Sequence, residues 1–495
     1  MKAILIATIG NRDLMFQIKS GEWYNVGETE MKESVLEKSN ILTENLEVIS
    51  DLELRNVTYR DLTQYLLEHW DDFKTQIKPV ILGKIFLDKS VEIEKVYLVG
   101  TNQLESVTQR DKDTLYSCKL IKCWLQDKYP NIQVEILELG QYATDPSNFE
   151  QMFQWWLKMW KTQINPKPEQ TLWVCLKGGV GQTAEAARIS GLSLYGEQVK
   201  FYEFKQNFQA NHLGIPSDYS GPFLGTTYLW NRTQKQVLKL LERYDYAGVL
   251  ELLEPYFKQD MQGWGNIPNL VNAGLEWNRG QFENFFQKAQ SGLDKQQKRQ
   301  RETYWWMAYE QAYIGVIRFQ QKNTTEAMLH SYRAVEGLIY EWIKNDLKNY
   351  IIDNKNEYLL LNKKILNKYD YPELQEQFHK LKEDVNIQVR GTIPSILINN
   401  IILNGQRNAD FDGWANQEAK NVRNFLSHNL GGINDKDLFK AWGQDIKNQK
   451  DWENRILTCL NLIANNNFSS LYQASLFACT HHKIKQKITS YDMPL

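Results

Sequence analysis

Residues 171–196 read TLWVCLKGGVGQTAEAARISGLSLYG. The opening part, TLWVCLK (171–177), is a short apolar run rich in aliphatic and aromatic residues, as buried parallel strands are. The closing part, TAEAARISGLSLYG (183–196), reads as a helix. Between them, KGGVGQT (177–183) places Gly178, Gly179 and Gly181 where the backbone can approach a ligand closely and aim amides at phosphate oxygens. The helix that starts after Thr183 adds partial positive charge.

The same alternation extends outward. KAILIAT (2–8), KVYLVG (95–100), IQVEILEL (132–139) and VKFYEF (199–204) are further strand-like runs. Helical patterns at 59–73, 113–129 and 149–160 separate them. Strand–helix alternation over the first 205 or so residues predicts an α/β, Rossmann-like domain with a mostly parallel sheet, spanning 1–215. The polar stretch 20–58 reads as an insertion after the first strand. From 205 to 230 the chain turns loop-like, with Gly214, Pro216, Gly221, Pro222 and Gly225 marking a boundary. Beyond it strands are expected to disappear. Amphipathic helical patterns at 233–257 and 295–319 suggest an all-α linker over 216–323, and a helix at 324–347 opens an all-α region over 324–495. Asn and Lys enrichment at 345–368 reads as a loop-rich or weakly helical interruption.

Bulk properties narrow the class. A chain of 495 residues exceeds one ordinary core, so several domains are expected. Lys and Arg total 58 against 60 Asp and Glu, so no global basic field exists and any nucleic-acid contact must be local. The basic stretch that opens 295–319 reads as a solvated helix face rather than an RNA contact. The 16 Trp and 25 Tyr read first as helix-packing anchors, with base stacking as the other use of such rings. Cysteines at 118, 123, 175, 459 and 479 make no zinc spacing, and an odd scattered set fits a reducing cytoplasm. No apolar run approaches the ~20 residues that span a bilayer, and MKAILIATIG reads as a buried first strand.

Three strand ends carry polar clusters: ATIGNRD (7–13), GTNQ (100–103) and KGGVGQT. Ligands of an open α/β sheet bind outside the carboxyl ends of the strands, so these clusters share one rim. KGGVGQT differs by one letter from a phosphate loop of ATPases, because Gln182 stands where their lysine does. Without that lysine, and after the fourth strand rather than the first, ATP hydrolysis is disfavoured. A tight turn without ligand, or a cradle for a phosphodiester or nucleotide, remains.

The other unusual stretch is WANQEAKNVRNFLSHNLGG (414–432). Ala415, Ala419, Val422 and Leu426 recur at helical spacing as a buried stripe, and Gly431 and Gly432 are stop residues. Arg423 and His428 lie roughly 140° apart around the helix, yet Arg423, Asn424, Ser427 and His428 form a continuous polar arc. A guanidinium can grip a scissile phosphate and an imidazole can move protons near neutral pH. RNA supplies its own nucleophile in the 2′-hydroxyl. Arg333 and Glu336 in SYRAVEGL either form a structural ion pair or orient Arg423.

R-N-x-x-x-H matches the R-x4–6-H signature of HEPN ribonucleases, with Arg423, Asn424 and His428 at the matching positions. Together with the N-terminal rim, the whole resembles the CRISPR-associated CARF–HEPN ribonucleases of type III systems. The resemblance implies a homodimer that binds a cyclic oligoadenylate, cyclic tetra- or hexa-adenylate, across its two CARF domains. It implies activation of paired HEPN domains that cleave single-stranded RNA without a metal or other cofactor. It further implies a cytoplasmic setting in antiviral defence, with no membrane partner and no stable DNA binding. The ring would be contacted by Thr8, Gly10, Asn11, Arg12, Thr101, Asn102, Gln103, Lys177, Gly178, Gly179, Gly181, Gln182 and Thr183. A nucleotide-sensing regulator with an inert HEPN-like helix is the alternative.

Overall fold

A computed structural model describes residues 2–28, 57–141, 144–354, 358–380 and 385–493. Most of the expected insertion at 20–58 lies outside the described residues. The chain divides into two units, Met1–Asn231 with Met493–Leu495, and Arg232–Asp492.

In the first unit, β1 (Ala3–Thr8), β5 (Ile93–Thr101), β6 (Gln133–Leu139), β7 (Thr171–Cys175) and β8 (Val199–Lys205) pair in parallel. The sheet order is β6-β5-β1-β7-β8-β9, with β9 (Asp218–Leu224) antiparallel at the edge. A second, antiparallel sheet holds β2 (Leu14–Gln17), β3 (Trp23–Asn25) and β4 (Ile77–Pro79). Successive strand side chains point to opposite faces, so the large sheet has two cores. Leu5, Ala7, Val96, Leu98, Trp173 and Cys175 face one side. There α1 (Tyr59–Glu68), α2 (Gly83–Lys89) and α3 (Leu115–Lys128) supply Leu66, Phe86 and Ile121. Ile4, Ile6, Tyr97, Val99, Leu172 and Val174 face the other side. There α4 (Phe149–Met159) and α5 (Gly181–Tyr195) supply Trp156, Ala186 and Ala187. The chain moves from β1 outward through β5 and β6, then returns to the other flank of β1 at β7. The switch point therefore lies between the carboxyl ends of β1 and β7, which is where such sheets bind ligands.

The segment expected as a loop-like boundary, 205–230, contains β9 and the start of α6 (Gly225–Glu242), within which the division between units falls. Glycine and proline mark it as loop, but an edge strand tolerates both because one of its sides needs no ladder partner. The expectation of an all-α linker from 216 fails at β9 for that reason.

The second unit is mostly helical. It includes α7 (Tyr246–Gln259), α8 (Ile267–Asn278), α9 (Trp306–Gln320), α10 (Thr324–Asp346), α11 (Ala409–Ala415), α12 (Gln417–His428), α13 (Gln449–Ala464) and α14 (Leu476–Ser490). Helices α9 and α10 form a hairpin. Asn323 caps α10 by accepting from the Glu326 amide, and a side chain at Gly315 would stand 3.2 Å from the Ser331 nitrogen. Trp264, Trp277, Trp442 and Trp452 are fully buried, which is the packing role expected of these rings. The region is not all-α. β10 (Ile351–Asn354), β11 (Tyr358–Asn362) and β12 (Asn386–Gln388) form a three-stranded antiparallel sheet inside the stretch expected to be loop-rich. Leu359 and Leu361 alternate inward there, a period-two signal that the surrounding Asn and Lys hide.

Candidate functional site

At the switch point two backbones touch. A Cβ on Gly10 would lie 2.7 Å from the Gly179 nitrogen, and one on Gly178 would collide with Asp13, the Gly10 nitrogen and the Thr8 carbonyl. Gly179 has φ of +84°. These glycines therefore let the β1 and β7 loops pack on each other. Thr8 Oγ1 donates to the Gly178 carbonyl at 2.6 Å, so this buried hydroxyl clamps the two loops together. Asp13, also buried, accepts from the Gly10 amide at 2.6 Å. Burial pushes its carboxyl up to about 7, while that amide and nearby Lys177 pull it back down.

Thr183 is buried too. Its hydroxyl donates to the Pro146 carbonyl at 3.0 Å, and its own carbonyl accepts from Trp156 Nε1 at 3.0 Å. Helix α5 begins at Gly181 with no side-chain cap, so its first-turn amides are free of that partner. Lys177, Gly181 and Gln182 are exposed on this rim, as are Asn11 and Arg12. Asn11 and Arg12 line a cavity of about 570 Å³ together with Asn25, Tyr59, Asp111 and Lys112.

The end of β5 is tied down. Thr101 and Thr114 exchange backbone-to-hydroxyl bonds at 3.1 Å each. Gln103 donates twice to fully buried Asp113, at 2.5 and 2.9 Å. Arg60 joins Asp113 at 3.1 Å and Asn102 Oδ1 at 3.0 Å, and Asn102 donates to Glu138 at 2.8 Å. Thr101, Asn102 and Gln103 thus shape the rim through this network. A neighbouring groove of about 840 Å³ includes Glu138, Gln141, Trp155 and Lys158.

In the second unit, Asn416 splits the expected helix in two. Its side chain accepts from the Ala419 amide at 2.7 Å and donates to the Gly413 carbonyl at 2.6 Å, starting α12. Ala419 is buried, whereas Val422 and Leu426 are only partly so. Arg423 binds Glu336 of α10 at 2.8 Å and Asn424 Oδ1 at 2.9 Å, and its guanidinium lies 5.2 Å from the Tyr332 ring centre. The pairing of Arg423 with Glu336 is one of the two roles the sequence left open for that carboxylate.

Arg423 closes a cavity of about 300 Å³ with Glu326, Leu329, His330, Arg333 and Ser427. His330 Nε2 is 3.2 Å from Glu326, and its Nδ1 meets Gln311. Burial lowers the pKa of His330, against the pull of Glu326. His428 does not line this cavity. It is exposed at the end of α12, beside Phe425 at 44% and Leu430 at 98% exposure. Among the described residues no group of His, Cys, Asp or Glu is arranged to hold a metal ion, and no helix is long and apolar enough to cross a membrane.

No family profile matches the sequence, and no curated protein matches it. Among solved structures, Enterococcus italicus Csm6 bound to cyclic hexa-2′-fluoro-hexa-dAMP is similar over 98% of this chain and 100% of its own, with a TM-score of 0.60 and 13% identity. The two share a fold. At that identity the likeness extends to the mixed α/β N-terminal sheet and the mostly helical C-terminal region.

Sequence reasoning passed over Asp13, Arg60, Asp113, Glu326, His330 and Tyr332. Asp13 closes the quoted cluster ATIGNRD and was readable as a buried cap only once Gly10 faced it. Glu326 and His330 sit four apart on one predicted helix, a spacing that could have flagged them.

Proposed function

We propose that the chain is a cyclic-oligoadenylate-activated endoribonuclease of the CARF–HEPN kind, working as a homodimer. Residues 1–215 sense the ligand, 216–323 link, and 324–495 cleave. The activator is a cyclic tetra- or hexa-adenylate, and the six-membered ring bound by the Csm6 neighbour supports the larger of the two. Lys177 and Arg12 supply positive charge to its phosphates, with the uncapped amides of Gly181, Gln182 and Thr183 and the backbones of Gly10, Gly178 and Gly179 beside them. Asn11 lines the same rim, while Thr8, Thr101, Asn102 and Gln103 hold its shape.

The observation that carries the reading is Arg423, fixed by Glu336 and Asn424 at the wall of a polar cavity on the helix that presents His428. In the cleavage step the RNA 2′-oxygen attacks the adjacent phosphorus, the P–O5′ bond breaks, and a 2′,3′-cyclic phosphate and a 5′-hydroxyl result. An imidazole takes the 2′-hydroxyl proton, and a proton is delivered to the departing 5′-oxygen. The Arg423 guanidinium offsets the charge on the phosphoryl oxygens. Since His428 and Arg423 of one chain line no common cavity, a second copy completes the site, and exposed Phe425 and Leu430 are the surface it covers.

The test is cleavage of labelled single-stranded RNA with and without each cyclic oligoadenylate. Cleavage that depends on the ligand is expected. His428→Ala should lower it at least a hundredfold while leaving the ligand-induced rise in melting temperature unchanged. A second reading is a nucleotide-sensing regulator, favoured by the engagement of Arg423 with Glu336. Ligand binding without RNA cleavage would select it.

A further inference from the structure

Helix α10 carries Glu326, His330, Arg333, Gly337 and Glu341 at successive spacings of four, three, four and four, which puts them on one stripe. Two cavities open along this stripe, and Arg333 lines both. One is the polar cavity of Arg423. The other has a volume of about 350 Å³ and is bounded by Tyr304, Met307, Gln311, Gly337, Leu338 and Glu341. That size falls at the lower end of the roughly 300–1,000 Å³ of small-molecule sites.

The second cavity differs in character from the first. Tyr304 and Met307 give it flat or pliable apolar walls, and Tyr304 is anchored by its hydroxyl on the Ile463 carbonyl at 3.3 Å. Glu341 is exposed at its edge. Its floor includes Gly337, in the middle of a 23-residue helix. Glycine is the poorest helix former after proline. Here no neighbour demands it, because a Cβ on Gly337 would meet nothing within 4 Å. The missing side chain leaves space open toward the cavity.

We propose that this cavity seats a nucleobase of the single-stranded RNA whose scissile phosphate lies at Arg423, with Arg333 gripping the phosphate between the two positions. The proposal rests on the ribonuclease reading above. Arg333 is exposed and makes no ion pair among the described residues, so its charge is free for a phosphate. Single-stranded RNA is read through bases splayed from the strand, seated on apolar or aromatic side chains and hydrogen-bonded at their edges. From His330 to Glu341 the stripe spans roughly 16 Å at 1.5 Å per residue, a distance for a few nucleotides rather than one. The Glu341 carboxylate accepts from Lys344 Nζ at 3.1 Å on Oε1, and its other oxygen can accept from a base, so a base with an exocyclic amine fits its edge better than uracil does.

The experiment maps cut positions in a randomised single-stranded RNA, using full-length protein with its activating cyclic oligoadenylate. Wild type is expected to disfavour uracil at one fixed position beside the cut. Gly337→Leu fills the cavity and should erase that bias and lower kcat/KM about tenfold. Gly337→Ala should keep the bias, with an unchanged or higher Tm. Glu341→Gln removes a negative charge and the exposed ion pair with Lys344, and should shift the fixed position toward uracil. The idea is overturned if wild type cuts with no base bias, or if Gly337→Leu and Glu341→Gln both cut with the wild-type distribution. If Gly337→Leu does not fold, Glu341→Gln alone decides. If activated wild type leaves all RNA intact, the ribonuclease reading falls, and this proposal falls with it.

Discussion

Two carboxyls are buried where a charge is costly. Asp13 under the rim and Glu310 in the helical unit both stand at about 7, and burial is the larger cause in each. The groups that feel Asp13 are the Gly10 amide, Lys177, Tyr59 and Cys118. Glu310 accepts from Trp277 Nε1 at 2.8 Å, from Ser475 Oγ at 2.7 Å and from the Leu476 amide at 2.6 Å, at the start of α14. In the unfolded chain such groups titrate near roughly 4. Between about 4 and 7 the folded protein therefore holds protons that the unfolded chain has released. That contribution to stability is complete below about 4 and is lost as the pH climbs through 7. Thermal unfolding should accordingly move to lower temperature from pH 5 to pH 8. Asp13→Asn should flatten that slope by removing one of the two protons, and a slope identical to wild type would exclude Asp13 as a source. Glu310→Ala is a different change. It strands the three buried donors just named and should cost about 3 kcal/mol at pH 5, a cost that shrinks as the pH climbs through 7 because the variant has no such proton to lose.

Among the elements, α12 carries the residues proposed to cleave RNA, and a single side chain starts it. Replacing Asn416 with alanine removes the bond to the Ala419 amide and should cost about 1–2 kcal/mol. Because that cap fixes where Arg423 meets Glu336, RNA cleavage should fall more than ligand binding does. Equal cleavage by Asn416→Ala and wild type would show that α12 is positioned by its packing alone. The five parallel strands were legible in the sequence as apolar runs, buried throughout in β1 and exposing charged residues in β6 and β8. β9 was not, since an exposed edge strand with Gly221 and Pro222 carries the signature of a loop. β2, β3 and β4 are three or four residues long, too short for periodicity to register. The rim was legible as a cluster of glycines and polar residues. The division of labour within it was not, because Thr8 and Thr183 look like ligand contacts until burial shows what their hydroxyls hold. Arg423 stood out through its spacing, while His330 and Tyr332 reach it only by the packing of α10 on α12, which local sequence does not encode.

For the whole molecule, the proposed cleavage site is a composite of two chains. In a single protomer Arg423 faces α10 and lines a cavity, whereas His428 is exposed beyond it, next to Phe425 and Leu430. If both groups acted within one chain, the imidazole and the guanidinium should share a pocket, and they do not. A composite site makes a specific demand on mixtures. Arg423→Ala retains His428, and His428→Ala retains Arg423, so each homodimer lacks one kind of group altogether. A heterodimer of the two holds one guanidinium and one imidazole, contributed by different chains. Mixing the two inactive variants under conditions that exchange protomers should therefore restore ligand-dependent RNA cleavage, at a rate below wild type. The control is the same mixture carrying Phe425→Glu and Leu430→Glu in both chains. Placing carboxylates on the exposed apolar surface should remove the restored activity and lower the mass measured by light scattering. A mixture as inactive as its components, beside an active wild type, would mean that one chain supplies both groups and that α12 must rearrange to bring them together.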